Sequence, residues 1–417
     1  MKQTIYPKEH HKLDIQKLDK DALYVLEKLT AAGHIAYLVG GGVRDLLLNQ
    51  KPKDYDISTS AEPEVIRKLF RNCILIGKRF RLAHIRFGRK IIEVSTFRSG
   101  DTENDALIIR DNDWGTPEED VLRRDFTING LFYDAAKETV IDYVGGFKDL
   151  EKRCLRAIGQ PFIRFRQDPV RMLRLLKFKA RFDFEIEPSA HTALIESRQE
   201  ILKSSSARVL EEVLRMLESS AAESFFRHLI DFGFLALILP ALAAFMELPE
   251  GQEIFSFLQE IDKLTIENKE LDRAIPRSCL IFPLFTKRID TLFTGREKPP
   301  HLGEIQNEAF ALFEESFDSF FRIPKRIKIS VISILVTQFR LTPFDKKKPR
   351  SFRIPNDPDF KLSLLFLELR TILDPSLQKI TKEWLKIAED PTIDPSPSKP
   401  KKRRRRTRKP YKPDEKS

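Results

Sequence analysis

Apolar residues fall in short runs over the first third of the chain and recur at helical spacing beyond about residue 155. Residues 35–39 form one such run. It breaks at Gly40, Gly41 and Gly42, resumes as Val43-Arg44-Asp45-Leu46-Leu47-Leu48, and is followed by Asp54-Tyr55-Asp56-Ile57. The pattern predicts strand, glycine turn, short helix, loop and strand. Ahead of it, residues 1–17 read as polar and loosely held, and residues 21–32 as a helix closed by Gly33. Behind it, Pro63 with the acids Glu62 and Glu64 opens a helix over residues 64–70.

Strands are predicted at residues 74–76, 82–87 and 90–97. In the last, Ile91, Glu93, Ser95 and Phe97 share one face, and Ile92, Val94 and Thr96 the other. Residues 99–116 read as a mobile loop beside the glycine turn. From Pro117 the stretch PEEDVLRRDFTINGLFYD reads as a helix, and residues 140–143 as a closing strand before Gly145-Gly146. Residues 164–180 are expected as one helix. Asp168, Arg171 and Arg174 lie near one face at i, i+3 and i+6, flanked by Met172, Leu175, Leu176 and Phe178. Residues 200–390 read as helices with few motifs. There Phe310, Phe313, Phe317 and Phe320 make a core stripe, and residues 351–370 contain an amphipathic helix. The expected class is α+β, mixed to about residue 155 and all-helical afterwards.

The 417 residues suffice for two or three domains. They include 41% hydrophobic and 32% charged residues, as in a soluble globular protein. No run of about eighteen apolar residues suggests a membrane span, and the first residues lack a signal-peptide core. Three scattered cysteines, Cys73, Cys154 and Cys279, lack metal-site spacing and fit a reducing cytoplasm. The net charge of +11 is concentrated at the C-terminus. Residues 391–417 hold eleven Lys or Arg against three acids. After a Pro/Ser linker come Lys401, Lys402, Arg403, Arg404, Arg405, Arg406, Arg408 and Lys409. Such a tail is expected to be disordered when free and to hold a polyanion. RNA fits better than a membrane, because the tail has no apolar face to insert.

The glycine turn lets a backbone approach a ligand, and the helix after it offers N–H groups to a phosphate. Arg44 could add a bidentate contact. Asp54 and Asp56, two apart in a strand, would point the same way and suit a hard divalent cation such as Mg2+. Glu93 becomes a third carboxylate if its strand neighbours theirs. Arg124 and Asp125 would orient a nucleotide's phosphate and sugar. Asp168, accepting, with Arg171 and Arg174, donating, could read a base edge. A glycine triplet alone is a turn and a lone Asp-x-Asp a solvated pair. In this order and spacing they point to nucleotidyl transfer.

The succession LVGGGVRDLLL, KDYDIST, EEDVLRRDFTING and DPVRMLRLLKF resembles the class II nucleotidyltransferases, which comprise bacterial poly(A) polymerases and CCA-adding tRNA nucleotidyltransferases. The stretch CILIGKRFRLAHIRF resembles the signature that sets the poly(A) polymerases apart, and the basic tail points the same way. The resemblance implies a catalytic head with a mixed sheet (18–155), a helical neck that selects the base (156–225), a helical body that holds RNA (226–390), and the tail (391–417). It implies Asp54 and Asp56 as ligands of two Mg2+ ions, Asp125 as a further active-site carboxylate, and Glu93 at a matching family position. Gly40, Gly41, Arg44 and Arg124 would hold the triphosphate of ATP, and Asp168, Arg171 and Arg174 would select adenine. The expected reaction is addition of AMP to RNA 3′ ends. The alternatives are a CCA-adding enzyme and an RNA-binding protein with a decayed head; protein partners stay open.

Overall fold

The computed structural model describes residues 3–77, 82–99, 113–269, 271–296, 300–318, 320–342 and 354–389. These fall into two compact units. One is drawn from Met1–Leu271 and Glu314–Ile323, the other from Asp272–Phe313 and the described residues from Pro324 onward.

The first unit is built on an eight-stranded sheet. Its strands are β1 (Thr4–Tyr6), β2 (Ala36–Val39), β3 (Asp56–Thr59), β4 (Cys73–Ile76), β5 (Leu82–Phe87) and β6 (Lys90–Thr96), followed after a separate short hairpin, β7 (Arg98–Ser99) and β8 (Asp113–Trp114), by β9 (Leu131–Asp134) and β10 (Thr139–Asp142). The sheet order is β1-β10-β9-β2-β3-β6-β5-β4, antiparallel except where β3 meets β6. The mixed sheet expected for the head is therefore present.

The two faces of the sheet differ. Cross-strand partners share a face. One row runs Ala83, Val94, Ile57, Leu38 and Tyr133, every member fully buried. It packs under helices α2 (Lys20–Ala31) and α4 (Pro63–Leu69), which follow α1 (Lys8–His11) and α3 (Gly41–Leu47) in the chain. Helix α2 is capped by the Asp19 carboxylate, which accepts from the Asp21 and Ala22 N–H groups. The opposite face carries the row His84, Glu93, Asp56, Val39 and Phe132. Part of that face is sealed by a cluster of Val39, Phe97, Val121, Phe132, Ile141 and Ile158. The polar part of the row stays outside this seal.

Three local expectations are corrected here. Residues 3–17 are held in place: β1 closes one sheet edge, Tyr6 stacks on Phe147 with ring centroids 4.2 Å apart, and His11 and Leu13 are buried. These apolar residues are few, and only the assembled sheet gives them a surface. The stretch from Pro117 is helical only over α5 (Pro117–Leu122), opened by a capping box between Thr116 and Glu119. Its end, Leu131–Asp134, is a sheet strand buried on both faces, so it shows no alternation to mark it. Residues 164–180 are split into α7 (Pro161–Gln167), which follows α6 (Gly146–Glu151), and α8 (Val170–Phe182). Pro169 disfavours helical backbone at Asp168, which has φ −148° and ψ 88°.

The first unit continues with helices α9 (Pro188–Glu196), α10 (Ser206–Leu217), α11 (Ala222–Asp231), α12 (Phe234–Ile238), α13 (Pro240–Met246) and α14 (Gln252–Ile266). The second unit is helical: α15 (Ala274–Phe293), α16 (Leu302–Phe313), α17 (Lys325–Leu341), α18 (Phe360–Leu373) and α19 (Gln378–Glu389). Leu341, Phe360, Leu364, Leu367 and Trp384 form one of its cores, with the Trp384 indole donating to the Leu341 carbonyl at 3.0 Å. Phe313 and Phe317 are buried and Phe310 and Phe320 half-buried, as core residues rather than an open stacking surface. Among the described residues no helix is long and apolar enough to cross a membrane.

Candidate active site

Asp56 and Glu93 are direct neighbours in the parallel pair β3 and β6; Asp54, expected in the same strand, instead precedes β3 as an exposed loop residue, so strand alternation does not align it with Asp56. The neighbourhood guessed for Glu93 is thus realised. Burial, reinforced by Glu93 and Asp54 and opposed by Arg124, pushes the Asp56 carboxyl up to about 6. Glu93 is also flanked on β5 by His84, whose Nε2 lies 3.4 Å from Glu93 Oε1. One step along the same face, Ser58 and Ser95 face each other with oxygens 3.2 Å apart.

Arg124 closes this strip. It donates from Nη2 to the Ser58 hydroxyl at 3.3 Å and to Asp120 Oδ2 at 2.9 Å, with its guanidinium over the Phe132 ring. Burial alone would raise Asp120, but Arg124 and Arg123 outweigh it and hold the carboxyl below the usual range. Arg124's carboxylate partner is therefore Asp120, four residues back, and not the adjacent Asp125. Gly40, at the head of α3, has φ +66°, and a Cβ there would lie 3.1 Å from Arg124 Nη1. Only glycine gives both the turn and the room for that guanidinium. The glycine turn, Arg124 and the Asp56–Glu93 pair therefore meet on one face.

Arg44 is placed differently from a free phosphate ligand. It is buried, donating from Nε and Nη2 to Asp45 Oδ1 at 2.9 and 2.7 Å and from Nη1 to Asn129 Oδ1 at 2.5 Å. Its guanidinium carbon lies 5.0 Å from the ring centroid of Phe178 and 4.7 Å from that of Phe182, both on α8. Arg181 adds a contact to Asp45 Oδ2 at 2.9 Å. Arg44 thus ties α3 to α8.

Asp125 likewise turns toward α8. Its Oδ1 accepts from the Phe126 N–H at 2.8 Å and from Asn129 Nδ2 at 3.1 Å, while Oδ2 lies 2.8 Å from Arg174 Nη2. Burial raises this carboxyl, but Arg174, Asn129, the Phe126 N–H and Arg171 together hold it below the usual range. The end of α5 is gripped in the same direction. Arg164 Nη2 donates to the carbonyls of Leu122 and Arg124, and Arg171 Nη2 to that of Arg123. Terminal helix carbonyls lack intrahelical donors, so these cations complete the helix.

Asp168, Arg171 and Arg174 do gather, although the helix is broken. Arg171 Nε lies 4.0 Å from Asp168 Oδ2, which also accepts from Arg208 Nη2 at 2.9 Å; Arg174 and Lys177 both approach Glu212. Among the described residues, Asp168 Oδ1 and Arg171 Nη1 are buried without a hydrogen-bond partner. A buried acceptor and donor left unpaired call for a polar partner. Asn129, Asp120, Ser58, Arg208 and Glu212 were not singled out from the sequence. The i, i+4 spacing of Asp120 and Arg124 and the i, i+2 spacing of Asp56 and Ser58 were the available signals. The part of the signature over residues 78–81, the loop over 100–112 and the basic tail with Lys401 to Lys409 lie outside the described residues.

Comparison with known proteins gives this geometry a context. Residues 36–156 match the poly A polymerase head domain, and residues 183–246 match a domain described as the probable RNA and SrmB-binding site of polymerase A. Poly(A) polymerase I of Escherichia coli O6:H1 is 35% identical over 398 residues, covering 91% of this chain and 85% of that protein. The chain belongs to the bacterial poly(A) polymerase family. A CCA-adding enzyme of Lactobacillus johnsonii is 36% identical over only 216 residues, 51% of this chain and 53% of the relative. In sequence, the poly(A) polymerase match thus covers most of the chain and the CCA-adding match about half of it. A solved CCA-adding enzyme, apo form II, matches with a TM-score of 0.61 at 20% identity over 92% of this chain and 87% of its own, which shows a shared fold.

Proposed function

We propose that this member of the poly(A) polymerase family adds AMP from ATP to RNA 3′ ends and releases pyrophosphate. The observation that carries the reading is the meeting of Asp56 and Glu93 with Arg124 beside the Gly40 turn. The extent of the poly(A) polymerase likeness favours ATP tailing over CCA addition. The expected division into head, neck, body and tail is kept as part of this proposal.

The RNA 3′ oxygen attacks the α-phosphorus while the bond to the bridging oxygen of pyrophosphate breaks. Among the described residues no group of three or more His, Cys, Asp or Glu side chains is drawn together for a metal. The donor set still fits Mg2+, which is commonly held by one or two carboxylates plus substrate phosphates. The raised Asp56 carboxyl is consistent with a site that gains from a cation. Asp54 and Asp56 would hold Mg2+, and two such ions would lower the pKa of the attacking hydroxyl and stabilise the leaving oxygens. Gly40, Gly41 and Arg124 receive the triphosphate, and Arg44 braces the turn from behind. Glu93 is the available proton acceptor; Asp125, held low by Arg174, anchors α8. Asp168 Oδ1 accepts from, and Arg171 Nη1 donates to, the adenine edge, with Arg174 beside them.

The test uses the purified chain with Mg2+, a labelled RNA without tRNA structure, and each nucleoside triphosphate separately. Long ladders with ATP alone are expected. One to three additions requiring CTP and a tRNA end would assign CCA addition. Absence of any product would assign a non-catalytic RNA-binding role.

A further inference from the structure

We infer that Asn129 is a positioning residue that couples the glycine turn to the base-selecting helix α8. The inference rests on the ATP-tailing reading. Asn129 is buried in the turn before β9, and its amide is held at both ends. Its oxygen accepts from Arg44 Nη1 at 2.5 Å, and its nitrogen donates to Asp125 Oδ1 at 3.1 Å. Asp125 Oδ2 then meets Arg174 Nη2 at 2.8 Å. One polar chain therefore runs Asp45, Arg44, Asn129, Asp125, Arg174.

The partners have opposite character, which fixes the amide orientation. Reversed, it would set NH2 against a guanidinium and oxygen against a carboxylate. Only asparagine matches both partners at this length. Arg44 stands one turn into α3, behind the glycine turn, and packs its guanidinium against two rings of α8. Arg174 is on α8 itself, beside Asp168 and Arg171. The turn around Asn129 is braced in turn: Thr127 donates to Asp149 at 2.7 Å, and a Cβ on Gly146 would collide with the Thr127 carbonyl.

A nucleotide has a fixed distance from phosphate to base. The enzyme must hold its phosphate cradle and its base selector at the matching separation. An error of about 1 Å in such placement can lower rates by up to about 100-fold. Among the described residues, Asn129 is the one side chain that hydrogen-bonds to both Arg44, the α3 brace, and Asp125, the α8 anchor.

The experiment measures kcat/KM for ATP and for CTP on a labelled RNA, together with inhibition by inorganic tripolyphosphate, which probes the cradle alone. For Asn129→Ala the ATP-to-CTP ratio should fall at least roughly tenfold, while tripolyphosphate inhibition stays within about twofold. Asn129→Asp, which keeps the acceptor for Arg44 and loses the donor to Asp125, should show the same loss of discrimination. A ratio unchanged in both variants overturns the inference. So does a parallel weakening of ATP and tripolyphosphate, which marks a merely structural residue, and so does failure of both variants to fold. A wild-type chain that makes no ATP product defeats the functional reading itself, and that failure is visible before any variant is made.

Discussion

Asp56 and Glu93 face each other across parallel strands, an arrangement that is unfavourable without a counter-charge. Asp56 is held at about 6, above the ordinary carboxylate value. A group raised in this way contributes stability at low pH and loses it as pH rises through the folded value. Asp56→Asn should therefore raise the stability of the metal-free protein at pH 7.5, by about 1–2 kcal/mol. It should also reduce ATP tailing at least about 100-fold. Thermal melting in chelator and a tailing assay measure the two effects. Loss of both stability and activity would make Asp56 a structural residue. Asp168 differs, with one oxygen held by Arg208 and the other buried without a hydrogen-bond partner among the described residues. Asp168→Asn should lower discrimination for ATP over CTP by about 1–3 kcal/mol, with a smaller change in kcat.

The elements are joined by side chains that leave one helix to complete another. The carbonyls ending α5 are satisfied by Arg164 and Arg171 from beyond residue 160. Asp125 receives Arg174 from α8. Removing one partner from such a buried pair leaves an uncompensated charge, so Asp125→Asn should destabilise the chain by about 3 kcal/mol at pH 7. Asp125 is depressed in the fold. Its contribution is complete above the ordinary carboxylate value near 4 and is lost as pH falls below it. The gap between wild type and Asp125→Asn in urea unfolding should therefore narrow from pH 7 to pH 3.5. A gap that stays constant would show that the pair is not what holds the carboxyl low.

Charge is distributed very unevenly along the polymer. Residues 391–417 carry a net +8, leaving +3 for the other 390. If this tail holds RNA, each phosphate contact releases counterions and steepens the salt dependence of binding. Ending the chain at residue 390 should weaken binding to poly(A) at low salt and flatten the slope of affinity against salt. Tailing of a saturating primer should persist, because the carboxylate strip and α8 lie elsewhere in the sequence. An unchanged slope would remove the tail from the RNA-binding surface.

The glycine turn and the strand that opens at Asp56 were legible because they are local. A glycine triplet permits positive φ, whereas the strand period expected to set Asp54 beside Asp56 does not apply, because β3 begins only at Asp56. The helices α2 and α4 and the two faces of β6 were legible for the same reason. The strand Leu131–Asp134 was not, because burial on both faces erases the alternation that distinguishes a strand from a helix. The neighbourhood of Glu93 depended on β3 pairing with β6 in parallel, which no short segment encodes. Arg44 reads in sequence as a phosphate ligand, yet packing turns it inward to Asp45 and to Asn129, 85 residues away. Arg124 and Asp125 read in sequence as acting together on a nucleotide, yet Arg124 pairs with Asp120 and Asp125 with Arg174. Local backbone preference and periodicity are properties of a few consecutive residues, so sequence alone determined the turn, the strand that opens at Asp56 and the element types that follow from them. Which charges meet is set by the free energy of burying them together, and that exists only once distant elements have packed.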